Sequence, residues 1–277
     1  MPSSLKLVAT PIGNIRDISL RAMDEIKKAH IILAEDTRHS MNLISALGIS
    51  LSPDCRLVSC NSHSEEQRIK VVVERLLAND QVVYICDAGC PVVSDPGSLL
   101  VQGVLAAGLQ VEVIPGPSAH STALMAAGID TTRFAFLGFL PQKKLARKKL
   151  ITSAADTSLA LVIYESPRRV ADLLTELFEI LGPRRVVVAR ELTKIHETFH
   201  RGVLGSELSP PVFDKGEVVV VVESSAESCQ ALDEEALQTF IKNELKNNSA
   251  KDVAKLSAEA FNISKKDAYK MVLDIRI

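Results

Sequence analysis

The chain holds 277 residues, 47% hydrophobic and 24% charged, with a formal net charge of −2. That length and apolar share are enough for a sizeable core and exclude a disordered chain, while the near-neutral balance excludes a molecule that is polycationic as a whole. The longest valine run, 218–222, falls far short of the roughly 20 apolar residues a bilayer span needs, and Met1-Pro2-Ser3-Ser4-Leu5-Lys6 lacks the charged-then-apolar pattern of an export signal, so a cytoplasmic location is expected.

Short β-branched runs at 5–9, 31–34, 56–59, 82–86 and 111–114 read as strands. Amphipathic stretches at 19–28, 37–47 and 64–77 lie between them, and Gly48, Gly108 and Gly128 fall where a helix ends on a left-handed residue. This is the grammar of an α/β layer fold with a mainly parallel sheet, here over residues 1–130. A second series, with strands near 134–137, 159–164, 185–189 and 218–223 and a helix over 169–181, shows no helical pattern between 189 and 218. Residues 131–225 therefore read as a second α/β domain with a mixed sheet. From 230 to 277 only helical patterns remain: a stretch over 233–245, then the capping-box-like starts Ser249-x-x-Asp252 and Ser264-x-x-Asp267. This tail carries eight acidic and eight basic residues between 231 and 277, so a docking or dimer-supporting module is as good a reading as a nucleic-acid reader.

Cysteines 55, 60, 86, 90 and 229 make an odd count without a Cys-x-x-Cys pair, which points to reduced thiols. The six histidines show no His-Glu-x-x-His spacing, so no metal is expected. Five of the seven residues 143–149 are basic, including Lys143, Lys144 and Arg147. They form either a solvated helix face or a contact for a phosphate backbone.

Four loops follow strands directly, where open α/β sheets collect ligands. Ala9-Thr10-Pro11-Ile12-Gly13-Asn14 is neither a Walker A loop nor Gly-x-Gly-x-x-Gly, which removes the main support for triphosphate and dinucleotide readings. Ala34-Glu35-Asp36-Thr37-Arg38-His39 sets two carboxylates and an arginine at a strand-to-helix junction. Asp36 either caps the helix or shares with Glu35 the task of accepting a proton while Arg38 holds a phosphate. In Cys86-Asp87-Ala88-Gly89-Cys90-Pro91 the small residues admit a ligand to the backbone, and Asp87 can accept hydrogen bonds from hydroxyls or an ammonium. Ile114-Pro115-Gly116-Pro117-Ser118-Ala119 opens a helix whose N-terminus suits a carboxylate.

Together with Ser94-Asp95-Pro96-Gly97, Phe136-Leu137-Gly138-Phe139-Leu140-Pro141, Tyr164-Glu165-Ser166-Pro167-x-Arg169, Ala189-Arg190-Glu191-Leu192-Thr193-Lys194 and Lys215-Gly216-Glu217, these loops resemble the tetrapyrrole methylase superfamily in kind and order. The resemblance spans about residues 5–223 and is sharpest to the branch that methylates a ribose of bacterial small-subunit ribosomal RNA. It implies two α/β domains with a cofactor cleft between them, a homodimer, and S-adenosylmethionine-dependent 2′-O-methylation of a cytidine in 16S RNA near the decoding centre, within the 30S particle. By position, the cofactor would meet Pro11, Ile12, Gly13, Asp87, Ala88, Gly89, Cys90, Ser118, Ala119, Tyr164, Ala189 and Gly216. Cys86 and Cys90 depart from the usual pattern, in which small or hydroxyl residues are commoner.

A ribose hydroxyl is a poor nucleophile and needs help to lose its proton. Glu35 or Asp36, with Arg38, is the expected helper, and His63, His196 and Lys144 are rivals. Lys143, Lys144, Arg147, Arg168, Arg169, Arg190 and Lys194 are the expected RNA contacts. Few aromatic residues, 4% with no tryptophan, leave little for base stacking. A tetrapyrrole C-methyltransferase, or a noncatalytic assembly factor binding rRNA, are the alternatives; the first has no evident use for the basic cluster or the tail.

Overall fold

A computed structural model describes residues 3–62, 64–155, 159–205, 215–224, 234–246, 248–261 and 265–276. His63, Cys229 and Ser264 lie outside the described residues. The first sheet holds β1 (Leu5–Val8), β2 (Ile31–Ala34), β3 (Arg56–Ser59), β4 (Val82–Ile85) and β5 (Val111–Ile114), interleaved with α1 (Leu20–Lys28), α2 (Thr37–Ala46), α3 (Glu65–Leu77), α4 (Ser98–Ala106) and α5 (Ala119–Ala126). Its order is β3-β2-β4-β1-β5 and every pair is parallel. Side chains alternate between two faces, as the strand period requires. Leu5, Leu7 and Tyr84 pack with Leu76 of α3 and Leu100 of α4, whereas Val8, Ile32 and Ile85 pack with Ile26 of α1 and Ile44 of α2.

This order has a consequence for ligands. The chain leaves β1 toward β2 on one side and leaves β4 toward β5 on the other, so adjacent strands part company at their carboxyl ends, the switch point where such sheets bind ligands. The register sets Val8 level with Ile85 and Ile114, and Ala34 level with Ile85, so the loops after β1, β2, β4 and β5 emerge along one edge.

The second sheet is mixed, as expected. It holds β6 (Phe134–Phe139), β7 (Ala160–Glu165), β8 (Arg185–Arg190), β9 (Thr198–Val203) and β10 (Val218–Val222) in the order β6-β7-β10-β8-β9, with only β6 and β7 parallel. The valine run is β10, the central strand, and all five of its residues are buried, which is why it is apolar without alternation. One face packs on α6 (Lys144–Ala155) and α7 (Val170–Leu181) through residues such as Ile151, Leu173 and Leu177. The other face receives Ala123 and Ala127 from the end of α5, against Val162, Val187, Val219 and Val221. A helix that begins at the first sheet thus closes the core of the second, and residues 1–224 form one compact unit.

Residues 225–277 form another unit, containing α8 (Glu234–Glu244), α9 (Ala250–Ala260) and α10 (Lys265–Arg276). It has its own small core of Leu237, Ile241, Val253, Ala254, Ala258, Ala268 and Val272. Ser249 caps α9, its hydroxyl accepting from the Asp252 amide at 3.3 Å. Among the described residues no helix is long and apolar enough to cross a membrane.

Candidate active site between the two sheets

The switch-point loops of the first sheet face the ends of β6, β7, β8 and β10 across a cavity of about 420 Å³. Its floor is pinned by backbone. Thr10 and Gly89 exchange hydrogen bonds of 2.8 and 3.1 Å, and the buried Thr10 hydroxyl donates to the Cys86 carbonyl at 3.2 Å. Gly89 sits at φ 85°, and a Cβ there would already touch Ile12 at 3.4 Å, so a side chain would occupy the space beside the backbone that a ligand needs.

The loop between β4 and α4 is anchored from outside its own segment. Gly97 provides no side-chain cap for α4; instead the buried carboxylate of Glu65 accepts from the amides of Leu99 and Leu100 at 2.9 and 3.4 Å. A charged acceptor at a helix N-terminus meets both its orphan donors and its dipole. Val92 and Ser94 hold left-handed backbone at φ 75° and 63°, a strained arrangement for side-chain-bearing residues, and Gly138 at the bulge of β6 lets the Ser94 hydroxyl approach.

Glu35, Asp87 and Asp95 line the cavity together. Burial pushes the Glu35 carboxyl above its ordinary range, and the Asp87 and Asp95 carboxylates push it further. Asp95 is raised as well, chiefly by burial, with a hydrogen bond to Cys86 opposing and Asp87 adding. Asp36, next to Glu35 in the chain, has a different task. The Asp36 carboxylate accepts from the amides of Arg38 and His39 at 2.8 and 3.3 Å, caps α2, and is held below the usual range by those bonds. The Asp36 amide donates to Asp87 at 3.2 Å, tying the two loops together. No lysine or arginine is among the described lining residues.

The opposite wall is aromatic and hydrogen-bonded. Tyr164 accepts from the His120 amide at 3.1 Å, and His120 Nδ1 lies 2.9 Å from the Ser118 hydroxyl and 3.3 Å from that of Tyr164. His120 stacks on Phe136, with centroids 4.7 Å apart. Burial lowers the His120 pKa and lifts that of Tyr164 to about 12, so both are neutral in the physiological range.

Of the residues expected from sequence, the cavity brings together Glu35, Ile12, Asp87, Ala88, Gly89, Cys90, Ser118, Ala119, Tyr164 and Gly216. Pro11 and Gly13 lie outside the lining, and Gly13 packs instead against the stem of Lys194; Ala189 is buried behind Ile12 and Leu192. Asp36 and Arg38 are not in the wall, and the Arg38 side chain is 92% exposed. The basic residues divide. Lys143, Lys144 and Arg168 are exposed. Arg147 donates to Glu176 at 2.6 Å, Arg169 to Glu165 at 2.6 and 2.8 Å, Arg190 to the Lys215 carbonyl at 3.0 and 3.3 Å, and Lys194 to Glu191 and Glu217 at 2.9 and 3.0 Å. His120 also lines the cavity, as do Phe139, Glu165, Glu217 and Asp95, which belong to the motifs that carry the resemblance but have no expected role there. The adjacency of His120 to Ser118-Ala119 and of Glu165 to Tyr164 was the signal available for two of them.

An α/β body whose first sheet opens onto a polar cleft at its switch point has the form of a ligand-binding enzyme of the open α/β kind. The chain belongs to the Tetrapyrrole (Corrin/Porphyrin) Methylases, whose family model matches residues 4–206. It is 39% identical over 275 residues to the ribosomal RNA small subunit methyltransferase I of Xylella fastidiosa (strain Temecula1 / ATCC 700964), covering 97% of this chain and 98% of that one. The protein of the same name from Escherichia coli O157:H7 is 37% identical, with 98% and 94% covered, and that from Thermotoga maritima is 39% identical, with 79% of this chain matching 97% of it. Among solved structures, the methyltransferase CobJ superposes with a TM-score of 0.62 at 20% identity, over 81% of this chain and 95% of that one. The chain is a methyltransferase, and a methyl donor is part of its chemistry.

Proposed function

We propose that this protein transfers a methyl group from S-adenosylmethionine to the 2′-hydroxyl of a cytidine ribose in 16S ribosomal RNA, near the decoding centre of the small subunit. The observation that carries this reading is the charge of the cleft: Glu35, Asp87 and Asp95 in the wall, no lysine or arginine among the described lining residues, and exposed basic residues at Lys143 and Lys144 outside that lining. A sulfonium and an ammonium suit such a wall. A polycarboxylate macrocycle would meet three carboxylates with no counter-charge, which disfavours a tetrapyrrole, whereas a ribose hydroxyl enters neutral. The cavity volume also lies within the roughly 300–1,000 Å³ of small-molecule sites. Relatives named for small-subunit RNA cover nearly the whole chain and support the substrate class.

Asp87 and the open backbone at Gly89 would hold the cofactor, with Ile12, Ser118, Ala119 and Tyr164 around it. When bound, adenosylmethionine supplies an electrophilic methyl group. Glu35 accepts the ribose proton at its carboxylate, and its raised pKa makes it a better base than an ordinary glutamate. Asp36 and Arg38 support this role from outside the cavity, Asp36 by fixing α2. Arg168, next to the wall residue Pro167, and Lys143 and Lys144 hold RNA phosphates. The cytoplasm, the 30S particle as partner and a homodimeric state follow from the same family reading. Nucleoside mass spectrometry of 30S subunits incubated with the enzyme and adenosylmethionine tests it: 2′-O-methylcytidine is expected, and a base-methylated nucleoside would sink the assignment.

A further inference from the structure

We infer that Lys194 is a positioning residue for the cofactor side of the cleft, clamping its β8 and β10 wall onto the β1 loop, and that it does not contact RNA. This rests on the reading of the cleft as an adenosylmethionine site. Three loops meet at this side chain. Its ammonium donates to Glu191 at 2.9 Å and to Glu217 at 3.0 Å, and Glu191 also accepts from the Glu217 amide at 2.9 Å. Its stem fills the space beside Gly13, where a Cβ would come within 2.5 Å of the Lys194 Cγ. One residue away, the Asn14 amide donates to the Thr193 hydroxyl at 2.9 Å. The clamp therefore joins the first loop of the first sheet to two loops of the second, and one of those supplies Gly216 and Glu217 to the cavity wall.

The backbone shows why a clamp is needed. Glu191 and Thr193 both lie in the left-handed region, at φ 53° and 64°, although neither is glycine. Such conformations persist only where the surroundings over-determine them. Gly216, at φ 115°, presses against the Glu191 side chain, so a shift of Glu191 is passed directly to the wall. Exposed ion pairs are weak, but the Lys194 and Glu191 side chains are only 29% and 17% exposed, and Glu191 accepts from both the Lys194 ammonium and the Glu217 amide, a network that restricts both rotamers. A lysine whose donors already face two carboxylates has little left to offer a phosphate, and those carboxylates would repel one.

The test compares Lys194→Met, Lys194→Arg and Glu217→Gln with wild type, by calorimetric titration of adenosylmethionine and by methyl transfer to 30S subunits at several salt concentrations. Lys194→Met should weaken adenosylmethionine binding and raise its KM at least about 10-fold, leave the KM for subunits within about 2-fold, and leave the salt dependence of subunit binding unchanged. Lys194→Arg should recover much of the loss, and Glu217→Gln, a change at a 71% exposed carboxylate that carries little risk to folding, should reproduce part of it. Unchanged adenosylmethionine affinity in Lys194→Met and Glu217→Gln, with a salt slope smaller by about one, would make Lys194 a phosphate contact and overturn the inference. Wild-type protein that fails to bind adenosylmethionine would overturn instead the reading of the cleft, and the clamp with it.

Discussion

Glu35 and Asp36 stand side by side in the chain, and nothing in their order says which one faces a substrate. The structure separates them by what they accept: Asp36 takes two amides of its own helix, and Glu35 stands in the cavity beside Asp87 and Asp95. Replacing Glu35 by Gln should cut kcat by about 10²–10⁴-fold with adenosylmethionine binding retained. In wild type, kcat should rise with pH through a value above 4.5, the ordinary glutamate figure, because the base must be ionised. The sign for stability is opposite. A carboxyl with a raised folded pKa binds its proton more tightly when folded, so stability is lost as pH climbs through that window. Glu35→Gln should therefore melt higher than wild type near pH 7.5 and lose that advantage below about pH 4; a variant that melts lower at neutral pH would contradict the assigned burial. Asp36→Ala should do the reverse, lowering the melting temperature while activity at a permissive temperature stays within a few-fold. The charges of Arg147, Arg169, Arg190 and Lys194 were legible as charges only. A sequence shows a cation but not the acceptor folded against it, and each of these four cations has an acceptor within the chain.

At the scale of elements, nine of the ten described strands could be read from their pattern, because strands of either sheet are short β-branched runs. β9 could not: Thr198-Phe199-His200-Arg201-Gly202-Val203 is an edge strand with a polar pattern and an internal glycine, and only its pairing with β8 reveals it. The cap that Glu65 lends to α4 was hidden for a related reason, since donor and acceptor lie on different helices. Glu65→Ala should destabilise the protein by about 1.5–3 kcal/mol, the range for hydrogen bonds to a charged group, and raise the KM for adenosylmethionine by loosening the loop that carries Asp87 and Asp95. Denaturant unfolding beside steady-state kinetics checks both effects. The basic run is helical from Lys144, and Lys143 and Lys144 are exposed. Changing both to Ala should weaken 30S binding and flatten its salt dependence by a slope of about two, with adenosylmethionine affinity unchanged; an unaltered slope would return the cluster to mere solvation.

For the molecule as a whole, two sheets and a helical tail are visible in the order of patterns, but the packing of α5, which follows β5, on the second sheet is not, because small residues such as Ala123 and Ala127 carry no signal of which partner they will meet. That helix links the two sheets within one compact unit, residues 1–224. The most direct test of the central claim offers the enzyme labelled adenosylmethionine together with equal amounts of unmethylated 30S subunits and a reduced uroporphyrin macrocycle. Alkali-stable label confined to ribose of the 16S RNA is the predicted result. Label in the macrocycle, or in neither acceptor while adenosylmethionine still binds, would contradict it.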